Sequence, residues 1–150
     1  MCYVMEHISK LCDILIKPLY KIMDKIQILN FLTKYNFKYS ENTEVITVNL
    51  DFAQKVILDF SESEKLKIDD RLTGWNFLTG LISMSLKHAI IYNFVVAAII
   101  GILFINIKIE NSEFNLIPFY LVIILWILLF SGYYLVKLEN FKSQIMNLRS

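Results

Sequence analysis

The sequence predicts a mainly α-helical membrane protein that crosses the bilayer twice and carries an N-terminal cytoplasmic helical module. Three observations predict this class. Residues 89–107 and 114–136 contain no charged side chain over 19 and 23 residues. Glycine and proline are rare, with four and two in 150 residues, which favours long helices. The charged residues, 19% of the chain, lie mostly before residue 72 and after residue 136.

Composition excludes several classes of protein. With 56% hydrophobic residues the chain is not disordered, and a formal net charge of +1 gives no basic face, so no nucleic acid partner is expected. The two cysteines, Cys2 and Cys12, are too few for a secreted disulfide scaffold and read as reduced thiols. Charges interrupt the first 20 residues, which therefore do not form a secretory signal.

The two uncharged segments define a transmembrane hairpin, 88–137, with spans at about 88–108 and 115–136. A helix rises about 1.5 Å per residue, so about 20 apolar residues cross a hydrocarbon core of about 30 Å. Core helices of soluble proteins are the alternative, but those are rarely apolar on every face over such a length. The connector KIENSE is so short that the spans must be antiparallel neighbours.

Basic residues predict the orientation. The flanks outside the hairpin carry seven lysines and arginines, while the connector carries one (Lys65, Lys67, Arg71 and Lys87 before the first span; Lys137, Lys142 and Arg149 after the second; Lys108 between them). Cytoplasmic flanks collect basic residues. Both termini, including a tail at 138–150, are therefore expected in the cytoplasm, with the hairpin in a bacterial inner (plasma) membrane.

Residues 71–87 are predicted to form an interfacial helix. The segment is uncharged between Leu72 and Leu86 but contains two Gly, and at 15 residues it is short for a span. One long helix running through residue 107, or a third span, are the alternatives. Side chains expected at the membrane interface are the aromatic and basic residues that flank the spans: Trp75, Lys87, His88, Tyr133 and Tyr134.

Residues 1–70 are predicted to be a cytoplasmic regulatory or oligomerisation module. Its N-terminal part has apolar residues at alternating spacings of four and three, which is the pattern of a heptad seam: Ile8, Cys12, Leu15, Leu19, Ile22, Ile26 and Leu29. Pro18 should kink or divide this helix. The seam serves either packing within the chain or association with a partner or a second copy.

The second part of the module mixes two patterns. Residues 36–50 combine turn residues with β-branched ones and fit a small hairpin. From Asp51 to about Arg71 an amphipathic helix is predicted, with Phe52, Val56 and Phe60 on one side.

No catalytic motif is recognisable, so neither an enzyme nor a bound cofactor or metal is expected. The first span contains two carboxamides, Asn93 and Asn106, which should face a pore, another helix or water because an amide facing lipid is costly. Two helices cannot enclose a pore, so any conduction requires oligomers. Small residues expected to allow close helix packing are Ala97, Gly101, Ser131 and Gly132.

The run from Ser61 to Leu86 followed by two spans resembles the two-transmembrane effectors of bacterial antiphage defence, such as SLATT-type proteins and the effectors of cyclic-nucleotide and retron systems. Glu64, Ile68, Asp69, Arg71 and Gly80 carry the likeness, which covers about residues 51–137. It implies an oligomeric effector, held silent by a cytoplasmic regulatory protein or signal, that permeabilises the inner membrane and stops growth. The alternatives are a non-toxic membrane anchor that recruits a cytoplasmic partner, and a holin-like lysis protein.

Overall fold

The structure is a computed structural model, and it describes residues 22–62, 66–106 and 116–149. Helix α1 is described over residues 22–34 and is followed by four strands and two long helices. The expectation of a mainly α-helical chain is therefore corrected to a mixed α and β fold. The bounds are β1 Lys38–Glu41, β2 Val45–Asn49, β3 Gln54–Asp59, β4 Lys67–Leu72, α2 Leu86–Asn106 and α3 Ile117–Arg149.

The strands form one antiparallel sheet in the order β1-β2-β3-β4. The hairpin predicted at about 36–50 is present as β1 and β2, closed where Asn42 and Val45 exchange backbone hydrogen bonds of 2.8 and 3.3 Å. Ile46 and Val48 are fully buried and alternate with less buried neighbours, as expected for a half-buried strand with period two. The β-branched residues that predicted the hairpin thus form part of the core.

The helix predicted from Asp51 to about Arg71 is wrong, because this segment contains β3 and β4. Val56, Leu58 and Phe60 are buried at alternate positions, while the residues between them are half-buried. Val56 and Phe60 are four residues apart, a spacing that both a helix face and a strand face accommodate. Cross-strand pairing with β2, which joins Val48 to Val56 and Ile46 to Leu58, decides in favour of the strand.

The interfacial helix predicted at 71–87 is also wrong, as is its alternative of one helix running on to residue 107. After β4 the chain makes a compact loop and returns so that the N–H of Leu72 bonds the carbonyl of Met84 at 2.8 Å. Two glycines in the left-handed region, Gly74 at φ +73° and Gly80 at φ +63°, permit the reversals. Helix α2 begins only at Leu86.

Helices α2 and α3 contain the two apolar segments that the sequence predicted. They are long and apolar enough to cross a membrane over Leu86–Phe104 and Ile117–Leu148, where the most apolar 18-residue windows have mean hydropathies of 1.9 and 2.2. Helix α3 does not end near residue 136. It runs from Ile117 to Arg149, and its 33 residues span about 50 Å at 1.5 Å per residue.

The chain divides into two compact units. Unit 1 contains Met1–Leu50, Lys55–Asp69 and Asn140–Ser150, and unit 2 contains Asp51–Gln54 and Asp70–Glu139. In the described part of unit 1 the sheet and the helical segments share an apolar core with Ile28, Leu32, Ile46, Val48, Val56, Leu58, Phe141 and Ile145. Unit 2 holds both apolar segments, the loop before α2 and a turn of four residues, and the contacts described next lie within it.

Candidate functional site

The turn Asp51–Gln54 has an unusual backbone. Its two central residues, Phe52 and Ala53, have φ values of +53° and +64°, and the N–H of Gln54 bonds the carbonyl of Asp51 at 3.3 Å. Two successive positive φ values are typical of a type I′ turn, where Asn and Gly are preferred. Because Phe and Ala carry a Cβ, each costs about 1–2 kcal/mol in this conformation. Other contacts must therefore hold the turn.

Tyr134 and Thr73 hold the turn by hydrogen bonds to the carbonyl groups of its two central residues. The hydroxyl of Tyr134 donates to the carbonyl of Phe52 at 2.9 Å, and Thr73 donates its N–H to the carbonyl of Ala53 at 2.8 Å. The side chain of Gln54 returns a third bond, from Nε2 to the backbone carbonyl of Tyr134 at 3.2 Å. Tyr134 and Gln54 are both fully buried.

Residues 74–82, here called the Asn76 loop, are organised by one buried amide. The side chain of Asn76 accepts the N–H groups of Leu78 at 3.1 Å and Thr79 at 2.8 Å. Its Nδ2 donates to the carbonyl of Gly80 at 3.0 Å and to the hydroxyl of Thr79 at 2.9 Å. This is the ability of Asn to replace backbone partners in turns, and the sequence NFLTG contains the signal, since Asn precedes Thr and Gly by three and four residues.

Three side chains of the apolar helices bind the Asn76 loop. Nδ2 of Asn93 in α2 donates to the carbonyl of Leu78 at 2.9 Å. Nε1 of Trp126 in α3 donates to the carbonyl of Phe77 at 3.0 Å, and the N–H of Phe77 donates to the hydroxyl of Tyr134 at 3.4 Å. The loop is thus attached to both helices by polar groups that lie within otherwise apolar segments.

Aromatic rings surround these hydrogen bonds. Phe77 stacks on Phe130 with ring centroids 4.3 Å apart and meets Phe52, Trp75 and Trp126 edge-on at 5.2, 4.9 and 5.9 Å. Such edge-on and stacked pairs contribute about 0.5–1.5 kcal/mol beyond the area they bury. The ring of Phe77 therefore helps to join the turn, the loop and α3.

The residues predicted at the membrane interface occupy different environments. Trp75, Lys87 and His88 are exposed, and Nδ1 of His88 lies 2.7 Å from the hydroxyl of Ser85. Tyr133 is 39% exposed, whereas Tyr134 is fully buried and bonded to the turn. The assignment of Tyr134 to an exposed aromatic belt is therefore corrected. Lys137 forms an ion pair with Asp51, and its Nζ also lies 3.4 Å from the Tyr133 hydroxyl.

The two predicted carboxamides also differ. Asn93 is 9% exposed and binds the carbonyls of Leu78 and Ala89, both at 2.9 Å, so its partner is the Asn76 loop rather than a pore or another helix. The pore-facing interpretation is corrected on that ground. Asn106 is the last residue of α2, and its side chain lies outside the described part of the chain.

The four small residues predicted for helix packing divide into two pairs. Ala97 is buried, and a Cβ on Gly101 would lie 2.8 Å from the Tyr120 hydroxyl, so the side chain of Tyr120 in α3 packs directly on Gly101 in α2. In α3 a Cβ on Gly132 would have no neighbour within 4 Å, and the buried hydroxyl oxygen of Ser131 has no hydrogen-bond partner among the described residues. Gly101 is thus the position where small size matters within unit 2.

Part of the predicted heptad seam is visible in unit 1. Ile22 and Ile26 are 54% and 51% exposed and Leu29 is half-buried, whereas the fully buried residues of α1 are Ile28 and Leu32. The seam therefore does not coincide with the buried face of α1. Its other members lie outside the described residues: Ile8, Cys12, Leu15 and Leu19.

Ion pairs in the described part of unit 1 include Lys25 with Glu41 at 2.6 Å and Lys67 with Asp69 at 3.1 Å. In β4, a hydrogen bond from Lys67 to Asp69 and the charge of that carboxylate raise the pKa of Lys67 above its usual value.

Over residues 22–62, 66–106 and 116–149, no group of three or more His, Cys, Asp or Glu could hold a metal ion. A wide-open cavity of about 580 Å³ is lined by Gln27, Asn30, Phe31, Lys34, Tyr35, Asn147 and Leu148.

No protein family, curated protein or solved structure matches the chain. The class defined by the fold and the site is thus a mixed α and β protein with a four-stranded antiparallel sheet and two helices long and apolar enough to cross a membrane. Within that class, a hydrogen-bonded turn and the Asn76 loop are attached to the apolar helices.

Proposed function

We propose that α2 and α3 cross a lipid bilayer as an antiparallel pair. The supporting observation is exposure, since only 22% and 6% of their most apolar windows are buried. A core helix of a soluble protein would be mostly buried. Large apolar side chains are exposed along both helices, including Phe94 at 75%, Ile102 at 61%, Leu121 at 60% and Leu128 at 64%. Lipid acyl chains would cover these surfaces.

In this arrangement both termini and the sheet lie on the cytoplasmic side of a bacterial inner membrane. Single cysteines in a background lacking Cys2 and Cys12 test it. Ser112→Cys, in the connector, should react with an impermeant maleimide on intact cells, and Lys38→Cys, in β1, should react only after permeabilisation. The opposite pattern would reverse the orientation, and release of the chain from membranes by carbonate would contradict insertion.

We further propose that the protein acts on the bilayer as an oligomeric effector that depolarises the inner membrane in antiviral defence. The support is the exposed apolar surface on two helices of spanning length, together with the architectural resemblance. Gly132, which has space around it on α3, offers a position where the helix of a second copy could approach closely. Asn93 is not part of this proposal as a pore residue because the loop occupies its amide.

Purified protein in phosphatidylethanolamine and phosphatidylglycerol vesicles, with a potential-sensitive dye, tests this function directly. We expect loss of an imposed potential that depends on protein density, as oligomers require. Gly132→Leu should weaken it, while Gly132→Ala, the matched small substitution, should not. Full retention of the potential at every protein density, and in cells induced for expression during phage infection, would contradict the effector proposal.

A membrane anchor that recruits a cytoplasmic partner is the second candidate, and it is favoured by the side of β1 with which no described strand pairs. Ser40 lies opposite Thr47, two residues from the hydrogen-bonded pair Asn42–Val45, so the backbone groups of Tyr39 and Glu41 point away from β2. All four residues of β1 are exposed. An extended partner segment could add to this edge by backbone hydrogen bonds.

The anchor function predicts an unchanged membrane potential and a crosslinked complex in cells. Tyr39→Pro should abolish the complex, because proline removes an outward N–H without breaking the ladder to β2. Tyr39→Thr is the matched control, since it loses the same contact with Thr33 but keeps the N–H. A complex that persists in Tyr39→Pro would exclude strand addition at this edge.

A further inference from the structure

The Asn76 loop lies well inside the length of the two apolar helices. Gly101 and Tyr120 mark one level at which α2 and α3 meet. Asn93 lies eight residues before Gly101 in α2, and Leu128 lies eight residues after Tyr120 in α3. Because the helices are antiparallel, both residues lie at the same level, about 12 Å further along the pair. Asn93 binds the loop there, and the Phe77 ring stacks on Phe130 two residues further along α3.

The charged ends of the helices give the same depth. Asn93 lies five residues beyond His88, about 8 Å into α2, and Phe130 lies seven residues before Lys137, about 10 Å into α3. Both helices therefore place the loop on the apolar side of their charged flanks. A loop lying flat at the membrane surface would instead contact the helices at the level of those flanks.

The backbone of residues 76–80, in the middle of the loop, meets the requirement that hydrocarbon imposes. Non-helical backbone at membrane depth is tolerated only where its polar groups are paired within the protein. From Asn76 to Gly80 all five N–H groups have hydrogen-bond acceptors. These acceptors are the carbonyls of Gly80 and Asn76, the hydroxyl of Tyr134 and the side-chain oxygen of Asn76, which accepts two of the five. All five carbonyls also have partners, which are the N–H groups of Gly80, Asn76 and Ile82 and the side chains of Trp126 and Asn93.

The outer surface of the loop is apolar. Leu81 is 78% exposed and Ile82 is 50% exposed, and both directly follow the fully paired segment. Trp75, in the part of the loop that follows β4, is 63% exposed, and its amphipathic ring favours the depth of the lipid headgroups. Such side chains are costly in water but suited to the lipid that surrounds the neighbouring helices.

We propose that residues 74–84 form a re-entrant loop, which enters the hydrocarbon region from the side of Lys87 and Lys137 and returns to that side. Leu81 and Ile82 contact acyl chains, and Trp75 lies among the lipid headgroups. The partner of this surface is the bilayer itself. The inference rests on the proposed crossing of the membrane by α2 and α3, and its test separates the two.

Single cysteines in a background without Cys2 and Cys12 test the loop in the full-length protein. The variants are Leu81→Cys and Ile82→Cys in the loop, Phe94→Cys as a lipid-facing reference in α2 and Lys38→Cys as a water-facing reference. In phosphatidylethanolamine and phosphatidylglycerol vesicles, a charged maleimide should react with the loop positions about tenfold or more slowly than with Lys38→Cys, because a thiolate does not form in hydrocarbon.

A second measurement identifies what protects the loop. Bimane attached at Leu81→Cys in detergent, before reconstitution, should be quenched by lipids brominated on their acyl chains to the same extent as bimane at Phe94→Cys. Slow labelling without quenching would mean shielding by protein and would overturn the proposal.

The remaining outcomes separate the loop from the helices. Fast labelling at Leu81→Cys and Ile82→Cys with slow labelling at Phe94→Cys would overturn the re-entrant loop and leave the transmembrane hairpin intact. Fast labelling at Phe94→Cys as well would overturn the membrane crossing, and the loop proposal with it.

Discussion

The hydroxyl of Tyr134 donates a hydrogen bond of 2.9 Å to the carbonyl of Phe52, a residue 82 positions earlier in the chain. The same oxygen accepts the N–H of Phe77 at 3.4 Å. One phenol therefore joins a turn with two positive φ values, the Asn76 loop and α3. Because Tyr134 is fully buried, neither backbone group would find water in its place.

Tyr134→Phe should destabilise the protein by about 1–3 kcal/mol, because it keeps the ring but leaves the Phe52 carbonyl and the Phe77 N–H without their partner. A lower unfolding midpoint in detergent, followed by circular dichroism, would measure the loss. Tyr133→Phe is the matched control, since Tyr133 is partly exposed and its hydroxyl has only a 3.4 Å contact with Lys137. Equal midpoints for the two variants would contradict the role of Tyr134.

Ala53→Gly should stabilise the protein slightly. Ala53 has φ +64°, where a Cβ costs about 1–2 kcal/mol, and glycine removes that cost. The greater freedom of glycine in the unfolded chain takes back about 0.4–1 kcal/mol, which leaves a small net gain. The same substitution at Ala97, in the middle of α2, should instead lower the unfolding midpoint, because glycine in a helix costs about 1 kcal/mol. Parallel losses in both variants would argue against strain at the turn.

Asn93→Leu should release the Asn76 loop, because it removes the donor to the Leu78 carbonyl and leaves that acceptor buried without a partner. Hydrogen exchange followed by mass spectrometry should show faster exchange over residues 76–80, corresponding to a loss of about 1–3 kcal/mol in local stability. Phe94→Leu, at the adjacent but exposed position, is the control and should leave exchange unchanged. Unchanged exchange in Asn93→Leu would mean that other contacts suffice to hold the loop.

Gly101→Leu should displace the Tyr120 side chain from α2, because even a Cβ at this position would lie 2.8 Å from the Tyr120 hydroxyl. We expect a lower unfolding midpoint and partial rescue by a second substitution, Tyr120→Ala, which removes the clashing ring. The double-mutant cycle should give a coupling of about 0.5–3 kcal/mol. Gly132→Ala, with nothing within 4 Å of the added methyl, should be neutral or stabilising. Additive losses at Gly101 and Tyr120 would contradict the close approach.

The features that the sequence predicts are those with a strong local signal. Val45 to Val48, β-branched and preceded by turn residues, predict the first hairpin, and two long uncharged runs predict α2 and α3. For the segment 51–71 the predicted helix is wrong for two reasons. The four-residue spacing of Val56 and Phe60 suits one face of a helix as well as one face of a strand, and the pairing with β2 that makes it a strand is a non-local interaction. The attachment of the Asn76 loop to the helices escaped prediction, since it depends on side chains 15 to 57 residues away.

The candidate site follows the same division. Asn93 could be recognised as an amide that needs a partner, because polar groups on apolar helices are costly. Its actual partner, the Leu78 carbonyl, lies in a loop where the sequence pattern predicts a helix. Tyr133 and Tyr134 are adjacent and chemically alike, so composition cannot decide which of them is exposed and which is buried. The packing of α3 decides that.

The partners of Phe77 also constrain the order in which the proposed membrane structure can form during biosynthesis. Its carbonyl and N–H bind Trp126 and Tyr134, which leave the ribosome 49 and 57 residues later. When α2 first enters the lipid, these two backbone groups have no partner, and unpaired backbone does not enter hydrocarbon. If the helices cross the membrane as proposed, we expect the loop to insert only after α3 is in place, as the last step in assembling the hairpin.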